Sequence, residues 1–126
     1  MFEISVGAHF DAAHWLRDYE GPCARVHGHR FDVEAAVTGS ELGREQLLVD
    51  FHDLRRLLEE VIEAFDHRCL NDTEPFAELS PTSENIARFI YRALAERLAR
   101  LEAGVRLAWV SVSESPDTKV VYREET

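Results

Sequence analysis

The chain has 126 residues, of which 45% are hydrophobic, and a formal net charge of −10 at pH 7. This composition is typical of a globular domain, so we expect residues 1–126 to form a single domain. The negative charge argues against a nucleic-acid partner, because Lys and Arg must neutralise the phosphates. No apolar run approaches the about 20 residues that span a membrane, and the acidic N-terminus is unlike a signal peptide, which predicts a cytoplasmic protein without a membrane partner.

The N-terminal part of the chain predicts two strands. Apolar and polar side chains alternate through residues 2–10 and again through residues 29–38, which is the period of a strand with one buried face. Residues 17–24 contain Gly-Pro and predict a loop, and the segment from Gly39 to Gly43 predicts a turn. We therefore expect the first two strands to pair as a hairpin.

The middle of the chain predicts two amphipathic helices. The first begins at Asp50, and its apolar residues follow the helical spacing. The second begins near Ser83 and ends at Gly104, a residue type that commonly terminates helices. Residues 66–82 form a long connection between them, and connections beyond about 12–15 residues in compact domains are often functional.

The C-terminal part predicts two more strands. Residues 105–113 and 118–123 are rich in Val, Leu, Trp and Tyr on either side of a Ser-Pro-Asp turn. The order β-β-α-α-β-β predicts an α+β fold, with an antiparallel four-stranded sheet and both helices on one face. Strict alternation would place Leu107 opposite Val110 and Val112, so that both sheet faces carry apolar residues. Such a sheet predicts burial against another copy of the chain.

Three histidines could form a metal site. His27 and His29 are separated by one residue in an extended segment, so their side chains lie on one face of the strand. His14 ends the first strand, and hairpin pairing would bring it close to them. Three neutral imidazoles with an open fourth position are typical of a catalytic zinc site. The alternative is that His27 and His29 are close by chance and that His14 is an ordinary residue at the end of a helix or loop.

Other residues could carry chemistry as well. Cys23 could be a zinc ligand, a base, a nucleophile or a loop cysteine without function. Asp66 could orient the imidazole of His67, or His67 could interact with the C-terminal dipole of the first helix. Glu114 follows the third predicted strand, where it would be solvated at the sheet edge or would hold a ligand. Cys69 has no assigned role.

Five segments occur in an order that resembles a known family: FDAAH, C-x3-H-G-H, FDH with a following LN, PTSEN and SVSES. From about Phe2 to Tyr122 they resemble the 6-pyruvoyltetrahydropterin synthase superfamily. The gap of three residues between Cys23 and His27 resembles the bacterial 6-carboxytetrahydropterin synthase branch. The resemblance implies the tunnelling fold, in which three β-β-α-α-β-β units close their sheets into a barrel and two trimers form a homohexamer.

The resemblance also implies a role for each candidate residue, with the Asp-His pair supplied by a neighbouring subunit. The roles are Zn²⁺ ligands (His14, His27 and His29), general base and catalytic relay (Cys23, Asp66 and His67), and pterin binding (Glu114, with Thr82, Ser83 and Glu84). The physical basis is that a metal ion stabilises developing negative charge while side chains move protons.

The implied reaction converts 7,8-dihydroneopterin triphosphate to 6-carboxy-5,6,7,8-tetrahydropterin in queuosine biosynthesis, with release of acetaldehyde and triphosphate. One alternative is the pyruvoyl-forming reaction of the same superfamily. A second is a non-catalytic zinc- or pterin-binding homologue, and a third is an unrelated zinc hydrolase. Because the chain is acidic, Arg17, Arg25 and Arg30 are candidates for binding the triphosphate.

Overall fold

The computed structural model describes residues 1–101 and 104–125. Its main elements, in chain order, are β1 (Phe2–His14), β2 (His27–Gly39), α1 (Phe51–Ile62), β3 (Arg68–Cys69), α2 (Ser83–Leu98), β4 (Arg106–Ser115) and β5 (Thr118–Tyr122). The five strands form one sheet in the order β3-β1-β2-β4-β5. None of the helices in these residues is long and apolar enough to cross a membrane.

The sheet differs from the prediction in one respect. β1 and β2 pair antiparallel along their whole length, and β4 and β5 continue the antiparallel sheet. The two residues of β3, however, pair in parallel with Ala12 and Ala13 of β1. The four predicted strands pair antiparallel as expected, but the sheet is mixed because the short β3 adds a fifth strand. A strand of two residues is too short to show a period-two pattern in the sequence.

A β-bulge in β4 changes the face on which Leu107 lies. The register with β2 skips Ala108, between Leu107 and Trp109. The extra residue shifts the alternation, so Leu107 is buried in the same core as Val110 and Val112. The expectation that Leu107 lies opposite these two valines is wrong, because alternation does not continue through a bulge.

The helices cover the inner face of the sheet. Asp50 caps α1 by accepting a hydrogen bond from the His52 N–H at 2.7 Å. The apolar stripes of α1 and α2 join the inner residues of β1, β2 and β4 in one hydrophobic core. Phe10 and Phe31 stack across the β1–β2 hairpin, with ring centroids 4.9 Å apart. Residues 102 and 103, at the predicted end of the second helix, lie outside the described residues.

Candidate metal centre

The histidine cluster, which consists of His14, His27 and His29, lies at one end of the β1–β2 hairpin. His14 is directly opposite His27, and His29 is the next residue of β2 on the same face. One ring nitrogen from each histidine lies within 4.8 Å of the other two. Phe31 continues the same face, and its ring centroid is 5.2 Å from that of His14. Hairpin pairing therefore brings the three imidazoles together, as the sequence predicts.

Backbone carbonyls determine the tautomer of two of these rings. His14 Nδ1 lies 2.8 Å from the carbonyl oxygen of Pro81, and His27 Nδ1 lies 2.6 Å from that of Arg25. Because a carbonyl oxygen can only accept, each Nδ1 carries the proton. The neutral ring then has its lone pair on Nε2, the atom left free to bind a metal.

His14 is the buried member of the cluster. Its side chain is 1% exposed, and its Nε2 has no hydrogen-bond partner among residues 1–101 and 104–125. Burial lowers the pKa of His14 below its ordinary value of 6.5, although the Pro81 carbonyl and Glu114 oppose this effect. The imidazole is therefore neutral at pH 7, which is the form that binds metal. A buried lone pair without a partner, facing two other imidazoles, fits a divalent cation such as Zn²⁺.

Glu114 lies beside the histidine cluster. Its Oε1 is 3.6 Å from His14 Nε2, and its Oε2 is 3.5 Å from His29 Nε2. The hydroxyl of Ser83, at the start of α2, donates a hydrogen bond of 2.9 Å to Oε1. Glu114 is therefore partly exposed next to two of the histidines, and its binding of a ligand stays a prediction.

Thr82 and Glu84 have different environments from Ser83. Thr82 caps α2, since its hydroxyl accepts a hydrogen bond of 3.1 Å from the Asn85 N–H. Glu84 is exposed in the first turn of the helix. In the described part of the chain, Ser83 is the member of this group that makes a hydrogen bond to Glu114.

Cys23 lies in the loop between β1 and β2. It belongs to a short 3-10 turn, Pro22–Ala24, and its half-buried thiol is not in a disulfide. The Cys23 carbonyl accepts a hydrogen bond of 2.8 Å from the Leu16 N–H, which closes the loop just after His14. Cys69 is also a free, half-buried thiol. Within the described residues, no hydrogen bond or ion pair joins the Cys23 thiol to the histidine cluster.

A second group, the Asp–His cluster, consists of Asp11, Asp66 and His67. Asp66 Oδ1 accepts a hydrogen bond of 3.0 Å from the Asp11 N–H and lies 3.0 Å from His67 Nδ1. The Asp11 carbonyl accepts a hydrogen bond of 2.6 Å from the His67 N–H. His67 has a φ of 59°, and this left-handed backbone turns its ring toward the carboxylate of the preceding residue. The contact between Asp66 and His67, which adjacency alone does not guarantee, is therefore present.

The Asp–His cluster is exposed and lies away from the histidine cluster. Asp11 is exposed between the buried residues Phe10 and Ala12, so its side chain is on the opposite face of β1 from His14. The Asp11 N–H is the main cause of the lowered pKa of Asp66, and His67 adds to it. Asp66 is thus an ionised carboxylate at neutral pH. The structure does not bring Asp66 and His67 to the three histidines of the same chain.

Asn71 binds the backbone of Trp15, a contact that the sequence did not predict. Its side chain is 5% exposed and forms hydrogen bonds of 3.0 Å with both the N–H and the carbonyl of Trp15. The LN that follows Asp66 and His67 is the signal that could have pointed to it.

The arginines considered for the triphosphate have partners within the chain. A guanidinium nitrogen of Arg17 donates hydrogen bonds of 2.8 Å to the carbonyls of Phe76 and Ala77. Arg30 forms an ion pair of 3.0 Å with Asp32.

The single sheet with its two helices on one face agrees with a solved structure of the tunnelling fold. The 6-pyruvoyl tetrahydropterin synthase of Caenorhabditis elegans superposes on the chain with a TM-score of 0.85. The comparison covers 98% of this chain and 96% of that one, at 23% sequence identity. The predicted fold class is therefore confirmed, apart from the mixed character of the sheet.

The family follows from sequence similarity. The family described as 6-pyruvoyl tetrahydropterin synthase matches residues 3–125, and the chain belongs to this family of enzymes. The 6-carboxy-5,6,7,8-tetrahydropterin synthase of Bacillus subtilis is 38% identical over 127 residues, covering 97% of this chain and 85% of that protein. The dihydroneopterin monophosphate aldolase of Pyrococcus furiosus is 33% identical, covering 81% of this chain and 93% of that protein.

Proposed function

We propose that the protein is a zinc-dependent 6-carboxytetrahydropterin synthase of queuosine biosynthesis. It would convert 7,8-dihydroneopterin triphosphate and water to 6-carboxy-5,6,7,8-tetrahydropterin, acetaldehyde and triphosphate. The observation that carries the proposal is the histidine cluster, with its buried member His14 and with Glu114 beside it, in a chain that is 38% identical to a relative of that name.

His14, His27 and His29 would hold the zinc ion. Their fit to the metal is supported by the two Nδ1–H groups that donate to carbonyls and by the partnerless Nε2 of His14. When bound, zinc would supply a Lewis acid that stabilises negative charge developing on substrate oxygens. The protein's own part is to present neutral imidazoles in a fixed orientation.

Glu114 would bind the pterin. An ionised carboxylate can accept two parallel N–H hydrogen bonds from a 2-aminopyrimidinone edge. The Ser83 hydroxyl, 2.9 Å from Oε1, would hold the carboxylate in place. Thr82 would contribute by fixing the start of α2, and Glu84 would contact the pterin from the first helical turn.

Cys23 would act as the general base that removes a proton from the substrate. Its carbonyl accepts a hydrogen bond from the Leu16 N–H, so Cys23 lies near the segment that follows His14, which supports a thiol that reaches a ligand bound there. Asp66 would orient the imidazole of His67, which would transfer a second proton. A non-catalytic binding homologue would not need this whole set of residues, and their joint presence favours an enzyme.

A neighbouring subunit would supply Asp66 and His67 to each site. Asp66 and His67 are exposed and bonded to the backbone of Asp11, and no contact among the described residues joins them to the histidine cluster of their own chain, which supports this. Beyond Ala12 and Ala13, one edge of β1 has no strand partner among the described residues. Pairing of that edge with another copy would remove an exposed sheet edge. We therefore propose a homohexamer built as a dimer of trimers.

The proposal is tested by product analysis. Zinc-loaded protein is incubated with 7,8-dihydroneopterin triphosphate, and acetaldehyde and the pterin product are measured. We expect acetaldehyde in equal amount to 6-carboxytetrahydropterin. A 6-pyruvoyltetrahydropterin product without acetaldehyde would contradict the proposal. Preferential turnover of dihydroneopterin monophosphate would instead assign the aldolase reaction by which the Pyrococcus furiosus relative is named.

A further inference from the structure

The connection between α1 and α2 carries two residues of the Asp–His cluster and contacts the histidine cluster. At its start, Asp66 and His67 bind the backbone of Asp11. At its end, the carbonyl of Pro81 lies 2.8 Å from Nδ1 of His14. The connection therefore contacts the final residues of β1 at two separate points.

Asn71 attaches the middle part of this connection to β1. Its Oδ1 accepts a hydrogen bond from the Trp15 N–H, and its Nδ2 donates one to the Trp15 carbonyl, each at 3.0 Å. The side chain of Asn71 is 5% exposed, so water cannot readily replace these bonds. Leaving buried backbone groups unpaired is costly, which makes this double hydrogen bond specific for a side-chain amide.

Arg17 also holds the connection close to the segment that follows β1. Its guanidinium binds the carbonyls of Phe76 and Ala77, and its backbone N–H donates to the Ser80 hydroxyl at 3.2 Å. Asn71 differs from Arg17 because it binds the residue directly after His14. A shift of Trp15 would therefore move His14 first.

We propose that Asn71 is a positioning residue for the metal centre. By fixing Trp15 to the connection, it sets the separation between the His14 ring and the Pro81 carbonyl, and so the tautomer and orientation of the buried imidazole. Asn71 does not touch the histidine cluster. It acts through Trp15, which follows His14, and through the Pro81 carbonyl. The inference rests on the zinc site of the proposed function and adds a residue that determines the affinity of that site.

The test is zinc affinity measured by chelator competition on purified, folded protein. Asn71→Ala removes both hydrogen bonds, and Asn71→Asp keeps the shape but places a carboxylate oxygen against the Trp15 carbonyl. We expect both variants to bind zinc about tenfold more weakly, the scale of effects seen when outer-shell partners of a ligand are lost. The amide of Trp15 should also exchange its hydrogen faster in both.

The matched control is Leu70→Ala. Leu70 is the preceding residue, is fully buried in the core, and makes none of these hydrogen bonds with its side chain. We expect it to lower stability while the zinc affinity stays within about twofold of the parent. Parental affinity in both Asn71 variants, or an equal loss in Leu70→Ala, would overturn the inference alone. A parent protein that binds no zinc would contradict the proposed function as well.

Discussion

The histidine cluster and the Asp–His cluster are built in different ways. The first lies on the inner face of the sheet, and its members are brought together by the register of one hairpin. The second lies beside the backbone of Asp11 in β1 and depends on a connection that returns to the strand after a helix. His14 is 1% exposed, whereas the side chain of His67 is 79% exposed. In a single chain, one member of the first cluster is thus buried, whereas the acid–base pair of the second is exposed.

The largest effect is expected from removing the proton-transfer residues. His67→Ala should lower kcat by about 10²–10⁴-fold, the usual contribution of general acid–base catalysis, and Cys23→Ala should be equally impaired. If the Asp–His cluster serves another subunit, hexamers mixed from the two inactive variants should recover part of the activity. Subunits are exchanged before the assay, with each variant alone as the control. No recovery on mixing would place both residues in one subunit's site.

Stability should respond to the inner face and hardly at all to the outer one. Phe31 is fully buried between the histidine cluster and the core, so Phe31→Ala should lower the free energy of unfolding by about 3–5 kcal/mol. Asp11→Ala should change it by less than about 0.5 kcal/mol, because the backbone of Asp11 makes the bonds to Asp66 and His67. Urea unfolding measures both, and similar losses would show that the two faces are not energetically distinct.

Within the proposed pterin site, the effects of changing Ser83 and Glu84 should differ. Ser83→Ala removes the hydrogen bond to Glu114 and should raise KM for the pterin substrate about tenfold. Glu84 is exposed, and the family resemblance assigns it to the same pterin-binding group as Ser83. Glu84→Ala therefore provides the direct comparison. Steady-state kinetics measures the KM of both variants. A larger KM effect for Glu84 than for Ser83 would reverse the roles drawn from the structure.

The smallest effect is a difference in pH dependence. Burial lowers the pKa of His14 in the folded chain below 6.5, so the unfolded chain binds more protons as the pH falls below that value. The metal-free protein should therefore lose stability below pH 6.5, until the folded-state pKa is reached. The pKa of Asp66 is held below 3.8. Its carboxylate therefore stabilises the folded chain above pH 3.8, and this stabilisation is lost only at more acidic pH. Urea unfolding from pH 7 to pH 5 should show a shallower decline in His14→Gln.

The histidine cluster could be predicted because a period-two pattern fixes both strand face and pairing. His27 and His29 share a face by alternation, and hairpin pairing then places His14 beside them. The helices were predictable for a similar reason, since their apolar spacing matches the helical repeat. The helical spacing and the strand alternation are local patterns, and the position of His14 follows from one hairpin.

The other features depend on contacts that no local pattern encodes. The strand β3 and the pairing of Asp66 with His67 both require the connection to return to β1, and the left-handed backbone of His67 is not evident from its residue type. The bulge at Ala108 interrupts an alternation that looked regular. Asn71 resembles an ordinary loop residue until its two bonds to Trp15 are seen.

The zinc content of two variants tests the central assignment most directly. Cys23→Ala and His27→Ala proteins are dialysed against a weak chelator, and bound metal is measured beside the parent. The assignment predicts about one zinc ion per chain in the parent and in Cys23→Ala, and almost none in His27→Ala. Loss of zinc with the thiol, or its retention without His27, would contradict a metal centre made of three imidazoles.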